Sequence, residues 1–192
     1  MLKIAVFVSG GGTNLQSLID ACSDGSVDAR IEAAISNNSG AYGLKRASKV
    51  GIATYHLSSV VFADKGDYLD ALIKVLADHK IDLIVLAGYM KLLPSEVVSE
   101  YYGRIINIHP ALLPKYGGKG MYGMNVHRAV LKAGDRYSGA TVHMVDEKYD
   151  HGSILIQRQV RVEPDDSPET LAARVLKIEH EILPRAVSLF VK

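Results

Sequence analysis

Continuous apolar runs alternate along this chain with segments of helical spacing. Ile4 to Val8 is unbroken apolar, as expected of a strand buried on both faces. Ser9-Gly10-Gly11-Gly12-Thr13-Asn14 then turns the chain, and a helix is predicted from Leu15 to Ser23. Arg30 to Ser36 reads as a second strand, Ala41 to Val50 as a helix stopped by Gly51, and Ala53 to Leu57 as a short strand. Tyr68, Leu69, Leu72, Ile73 and Leu76 keep helical spacing within Lys65 to His79. Leu83 to Ala87 and Arg104 to Ile108 read as two more buried strands. This order predicts an α/β fold, a doubly wound and mostly parallel sheet. Such sheets take ligands beyond the carboxyl ends of their strands. Gly10 to Asn14, Gly88 to Leu93 and Asn107 to Leu113 all follow strands and are expected to line one crevice.

The last third has a different rhythm. Gly139 to Val145 and Ser153 to Val162 look like strands flanking the turn Asp146 to Gly152. Ser167 is a natural N-cap and Pro168-Glu169 a good first turn, so a helix should run to about His180 or beyond. Pro184 should kink or restart it. Gly117 to Met124 holds four glycines, two methionines and a tyrosine, the composition of a mobile lid or of a plain surface loop. Without repeats, low-complexity tracts or a linker, residues 1–192 are expected to form a single domain.

Composition removes several function classes. Lys and Arg number 22 against 21 Asp and Glu, a net charge of +1 with no block of one sign, so no nucleic-acid partner is indicated. Cys22 is the single cysteine and so leaves no intrachain disulfide or multi-thiolate metal site; its place in Leu18 to Cys22 suits helix packing. The apolar start is too short for a signal-peptide core, and no run approaches the roughly 20 residues of a membrane span. A cytoplasmic protein without a membrane partner is expected.

The candidate chemistry concentrates in Asn107-Ile108-His109-Pro110-Ala111-Leu112-Leu113-Pro114. In an extended chain, residues two apart share a side, so Asn107 and His109 should project together. An amide can hold a developing oxyanion, and an imidazole moves protons near neutral pH, a pairing that suits acyl-type transfer. The bland alternative is a buried core histidine. Asp150, in Asp150-His151-Gly152, is either a solvated turn residue or a partner that raises the His109 pKa. The first glycine loop lacks the last glycine of G-x-G-x-x-G and the Gly-Lys-Ser/Thr of a Walker loop. It is either a phosphate cradle at a helix N-terminus or an ordinary strand-to-helix turn. His127, His143 and His151 are too far apart for a local metal motif, and no metal is expected. Glu179-His180-Glu181 by itself reads as an exposed polar face.

Together, Ser9 to Gln16, Leu86 to Leu93, Asn107 to Pro114 and Gly139 to Gly152 resemble the folate-dependent formyltransferases over nearly the whole chain. The resemblance implies a Rossmann-like formyltransferase domain. It implies an enzyme that moves a formyl group from the co-substrate 10-formyltetrahydrofolate to the amine of phosphoribosylglycinamide in purine synthesis. Asn107, His109 and Asp150 match the family's catalytic trio. Gly12, Thr13 and Asn14 match the loop holding the ribonucleotide phosphate, and Glu179 an acid contacting that substrate. Met90, Lys91, Leu92 and Leu93, with Asn107, match the folate pocket. Lys91 stands where many relatives have arginine, which keeps the charge and loses the bidentate fork. Lys65 stands where a basic residue can meet the folate's acidic tail. The chain departs from the family in a longer loop before His127 and in His151, which replaces a small residue.

Two other readings remain in view. Formyltransferases acting on methionyl-tRNA or an amino-sugar nucleotide share the Asn-x-His and Asp sites but usually carry a further domain. A non-catalytic nucleotide-binding module would explain the glycine loop but not the trio.

Overall fold

A computed structural model describes residues 1–148 and 150–191, so Tyr149, within the expected turn, lies outside the described residues. The strands are β1 (Leu2–Val8), β2 (Ala29–Ser36), β3 (Ala53–His56), β4 (Leu83–Leu86), β5 (Ile105–His109), β6 (Tyr137–Met144) and β7 (Ile154–Arg161). The helices are α1 (Thr13–Ser23), α2 (Tyr42–Lys49), α3 (Lys65–Asp78), α4 (Ser95–Glu100), α5 (Met124–Ala133) and α6 (Pro168–Ser188). One sheet runs in the order β3-β2-β1-β4-β5-β6-β7. The first five strands are parallel, and β6 and β7 are added antiparallel.

The unbroken apolar character of β1 has a direct cause: both of its faces are covered. Ile4, Val6 and Val8 join a core with Leu15 and Leu18 of α1 and Val175 and Ile182 of α6. Ala5 and Phe7 turn the other way, toward Leu72 and Leu76 of α3 and Val97 of α4. Each fully buried leucine or phenylalanine contributes about 1.5–3 kcal/mol through area removed from water, so a polar residue on either face of β1 would be costly.

Helices α4 and α5 are absent from the expectation. Helix α4 has only six residues, too few for helical periodicity to show, yet parallel β4 and β5 require a crossover. Helix α5 begins at Met124, inside the stretch expected to be loop, after Gly123. Val126, His127 and Val130 are its buried residues, and Val130 joins the core. Helix α6 does not restart at Pro184: it continues through it to Ser188. Buried Ile182, Leu183, Ala186 and Val187 hold the last turns in place, which outweighs the one backbone bond that proline removes. Its start is as expected, with a reciprocal cap between Ser167 and Thr170.

Candidate active site

The direction of strand addition reverses between β1 and β4, and the chain segments leaving those strands separate there. A cavity of about 1060 Å³ opens at this point and is walled by the glycine loop, the loop after β4, the end of β5 and the segment entering α5. The two loops are tied together through Ser9. Its backbone N–H donates to the Gly88 carbonyl at 3.1 Å. Its hydroxyl donates to Asn37 Oδ1 at 2.5 Å and accepts from the Met90 N–H at 2.9 Å.

The glycine loop is held from behind by α2. The Gly43 N–H donates to the Gly10 carbonyl at 3.0 Å, and Arg46 Nε donates to the Gly11 carbonyl at 2.8 Å. Gly12 adopts φ 67°, and a Cβ there would stand 2.5 Å from the Gly43 Cα. Left-handed backbone and close helix approach both require glycine. Among the described residues no side chain caps α1, so its leading amides at Thr13 and Asn14 remain available to an anion in the cavity they line.

Glu179 departs from the bland reading of an exposed polar face. It is 8% exposed and accepts from Asn14 Nδ2 at 2.6 Å. Burial pushes its carboxyl pKa up, and the Asn14 bond only partly opposes this. Asn14 Oδ1 is also buried and has no partner among the described residues. This pair forms a polar corner on the cavity wall beside the start of α1.

On β5, Asn107 and His109 project to one side as the spacing predicts, and both meet Asp150. Asn107 Nδ2 and His109 Nδ1 stand 3.5 and 3.6 Å from Asp150 Oδ1. His109 Nε2 lies 2.8 Å from the Tyr116 carbonyl oxygen. A carbonyl only accepts, so Nε2 carries hydrogen and donates. In the neutral ring, Nδ1 is therefore the free base on the Asp150 side. Asp150 has φ 52°, and its second oxygen accepts from the Gly118 N–H at 2.9 Å.

The electrostatics correct one expectation. Asp150 does favour the His109 imidazolium, but burial is the larger influence and holds the His109 pKa below the ordinary 6.5. The Tyr116 carbonyl also raises it, while His143 lowers it. For Asp150, burial alone would raise the pKa. The His143 and His109 rings in their protonated forms, with the Gly118 N–H, outweigh it, and the carboxyl sits below its ordinary value. Near neutral pH the site therefore holds a neutral imidazole beside a carboxylate.

Two histidines that carried no role in the sequence reading also line the cavity. His143 pairs across the strands with Asn107, and its Nε2 lies 3.1 Å from Asn107 Nδ2 and 3.5 Å from Asp150 Oδ1. His127 is 4% exposed on α5, and its Nδ1 has no partner among the described residues. Their positions depend on strand pairing and on an unexpected helix, so no local motif marks them. His151 points away, to Asp146.

The loop after β4 supplies Met90, Lys91, Leu92 and Leu93 to the cavity wall. Tyr89 packs edge-on against Phe7 with ring centroids 5.3 Å apart, which anchors the loop to the core. Such a pair contributes about 0.5–1.5 kcal/mol beyond area burial. Met90 and Leu92 stay about half exposed, forming an apolar shelf. Lys65 is not brought to this wall: it is the exposed first residue of α3. The glycine-rich segment does join the site, with Gly118 to Gly123 forming one side of the cavity.

The family model described as formyl transferase matches residues 2–187. A chloroplastic phosphoribosylglycinamide formyltransferase of Arabidopsis thaliana is 46% identical over 187 residues, which are 96% of this chain and 64% of that protein. The phosphoribosylglycinamide formyltransferase of Haemophilus influenzae is 43% identical over 190 residues, 99% of this chain and 87% of that protein. The solved structure of the Coxiella burnetii phosphoribosylglycinamide formyltransferase superposes with a TM-score of 0.90 at 43% identity, covering 98% of this chain and 86% of that one. The chain thus spans slightly under two thirds of its plant relative and most of its bacterial ones. With a fold, a cavity and a match that agree from the first strand to the last helix, the chain belongs to the formyl transferase family.

Proposed function

We propose that this chain transfers a formyl group from 10-formyltetrahydrofolate to the amine of phosphoribosylglycinamide, working in the cytoplasm as one domain. The observation that carries the reading is the convergence of Asn107, His109 and Asp150 between the glycine loop and the apolar loop after β4. An anionic substrate and a flat heteroaromatic one would then meet over the trio. The substrate phosphate takes the amides at Gly12, Thr13 and Asn14, and Glu179 accepts from its hydroxyls or amide. The folate ring lies against Met90 to Leu93. Holding both substrates converts a bimolecular step into a unimolecular one.

In the reaction the amine nitrogen attacks the formyl carbon. A carbon–nitrogen bond forms, the bond to the folate nitrogen breaks, and one proton passes from the attacking to the leaving nitrogen. The carbonyl oxygen becomes an oxyanion in between. Asn107 Nδ2 is suited to it, because its 3.5 Å contact with Asp150 is long and easily exchanged for a stronger charged acceptor. The free Nδ1 of His109 takes the amine proton and returns it to the leaving nitrogen. Asp150 steadies the imidazolium in the interval.

The test is incubation with 10-formyltetrahydrofolate and, separately, phosphoribosylglycinamide, methionyl-tRNA, an amino-sugar nucleotide or no acceptor. Formylated phosphoribosylglycinamide should be the dominant product. Preferential formylation of another acceptor, or release of formate alone, would overturn the reading.

A further inference from the structure

Two backbone hydrogen bonds that orient the His109–Asp150 pair come from one short segment. The Tyr116 carbonyl accepts from His109, and the Gly118 N–H donates to Asp150. Tyr116 sits at φ 60°, an uncommon conformation for a non-glycine residue that surrounding contacts must hold. One such contact is remote from the reaction. Asp135, in the turn between α5 and β6, accepts from the Tyr116 hydroxyl at 2.7 Å. It also accepts from Lys115 Nζ through both oxygens, at 2.7 and 2.6 Å. Lys115 is largely exposed and its ion pair is correspondingly weak. The Tyr116 hydroxyl bond is the better shielded restraint. Asp135 does not line the active cavity; it lines a separate groove.

We infer that Asp135 is a positioning residue for the reaction, acting through the Tyr116 hydroxyl to keep the Tyr116 carbonyl on His109 Nε2. This bond keeps hydrogen on Nε2 and leaves Nδ1 as the base. Without it the ring can turn or change tautomer, and the proton relay loses its geometry although neither substrate loses a contact.

The inference rests on the formyl-transfer reading for its rate effect, but not for its effect on the histidine. Tyr116→Phe removes only the hydroxyl, and Asp135→Asn keeps the shape of the acceptor side chain. Each should lower kcat about ten- to a hundredfold with KM for both substrates little changed, as expected of a misplaced group remote from binding. The ring of His109 faces Asp150 from the turn, His143 from β6 and His127 from α5, and none of these is altered. Loss of the carbonyl bond should therefore lower the His109 pKa below its value in the parent protein. NMR titration of the ring in ligand-free protein reads this directly and stands whatever the substrate. In the double variant the two losses should not multiply, because they remove one linkage. An unchanged His109 titration in both variants, or losses that multiply in the double variant, would overturn the inference.

Discussion

The side-chain amide of Asn107 donates to Nε2 of His143, its cross-strand partner, at 3.1 Å. The direction of this bond follows from the other ring nitrogen. His143 Nδ1 lies 2.8 Å from the Met144 carbonyl, which only accepts, so Nδ1 carries the hydrogen and Nε2 of the neutral ring is an acceptor. Asn107 is thereby held with its NH₂ group toward Asp150, the orientation an oxyanion requires. A flipped amide would present oxygen and repel it.

Removing the His143 acceptor should therefore cost turnover more than binding. His143→Leu is expected to lower kcat by about ten- to a hundredfold with little change in KM, because the amide orientation matters most in the transition state. His143→Gln, which restores an acceptor oxygen, should recover part of the loss. Steady-state kinetics of both variants check this; equal kcat in the leucine and glutamine variants would show that orientation of Asn107 is not the cause.

The acid limb of the rate profile should lie below pH 6.5, because burial holds His109 below the ordinary histidine value and imidazolium cannot act as the base. Asp150→Asn removes the carboxylate that favours imidazolium, so the limb should move to still lower pH. The maximum rate should fall as well, since the intermediate imidazolium loses its counter-charge. NMR titration of His109 in the variant gives the pKa without kinetics, and an unchanged value would break the proposed pairing.

The proposed division of the cavity is best tested at Gly11. A Cβ at Gly11 meets nothing within 4 Å among the described residues, whereas one at Gly12 strikes the Gly43 backbone. Gly11→Val should weaken the phosphoribosyl substrate, leave a folate analogue nearly unaffected and preserve the melting temperature. Gly12→Val should lower the melting temperature as well, since it forces α1 and α2 apart. Calorimetric titration with each ligand separates the cases. Equal loss of both ligands in Gly11→Val would refute the division.

Glu179→Gln should trade substrate affinity for stability. Folding raises the Glu179 pKa, so the folded state favours the protonated acid and pays for the ionised one. The stability this group contributes is present below its unfolded pKa and lost as pH rises through the folded one. Glutamine keeps an acceptor for Asn14 and carries no charge. The variant should melt higher than the parent near neutral pH, with the difference closing as the solution is acidified, while the affinity for phosphoribosylglycinamide falls. A melting difference independent of pH would contradict the assignment.

The parallel half of the sheet was legible in the sequence because its strands are buried on both faces and read as continuous apolar runs. Asn107 and His109 were legible for a local reason: strand period two sends both to one side. Gly12 to Asn14 followed from a strand, a turn and a helix in sequence. The turn offers Asp150 as a partner for His109 or as a solvated aspartate, and only the resemblance favours the first, since nothing local joins it to a strand about forty residues earlier. The tertiary structure alone decided the rest. It brought His143 beside Asn107 by antiparallel pairing, buried Glu179 against Asn14, and left Lys65 away from the cavity wall. It also made burial, not the neighbouring carboxylate, the stronger influence on His109. Sequence spacing carries local direction along one element. Desolvation and contact between elements depend on how the whole chain packs, and these set the charge state and aim of the groups proposed as catalytic.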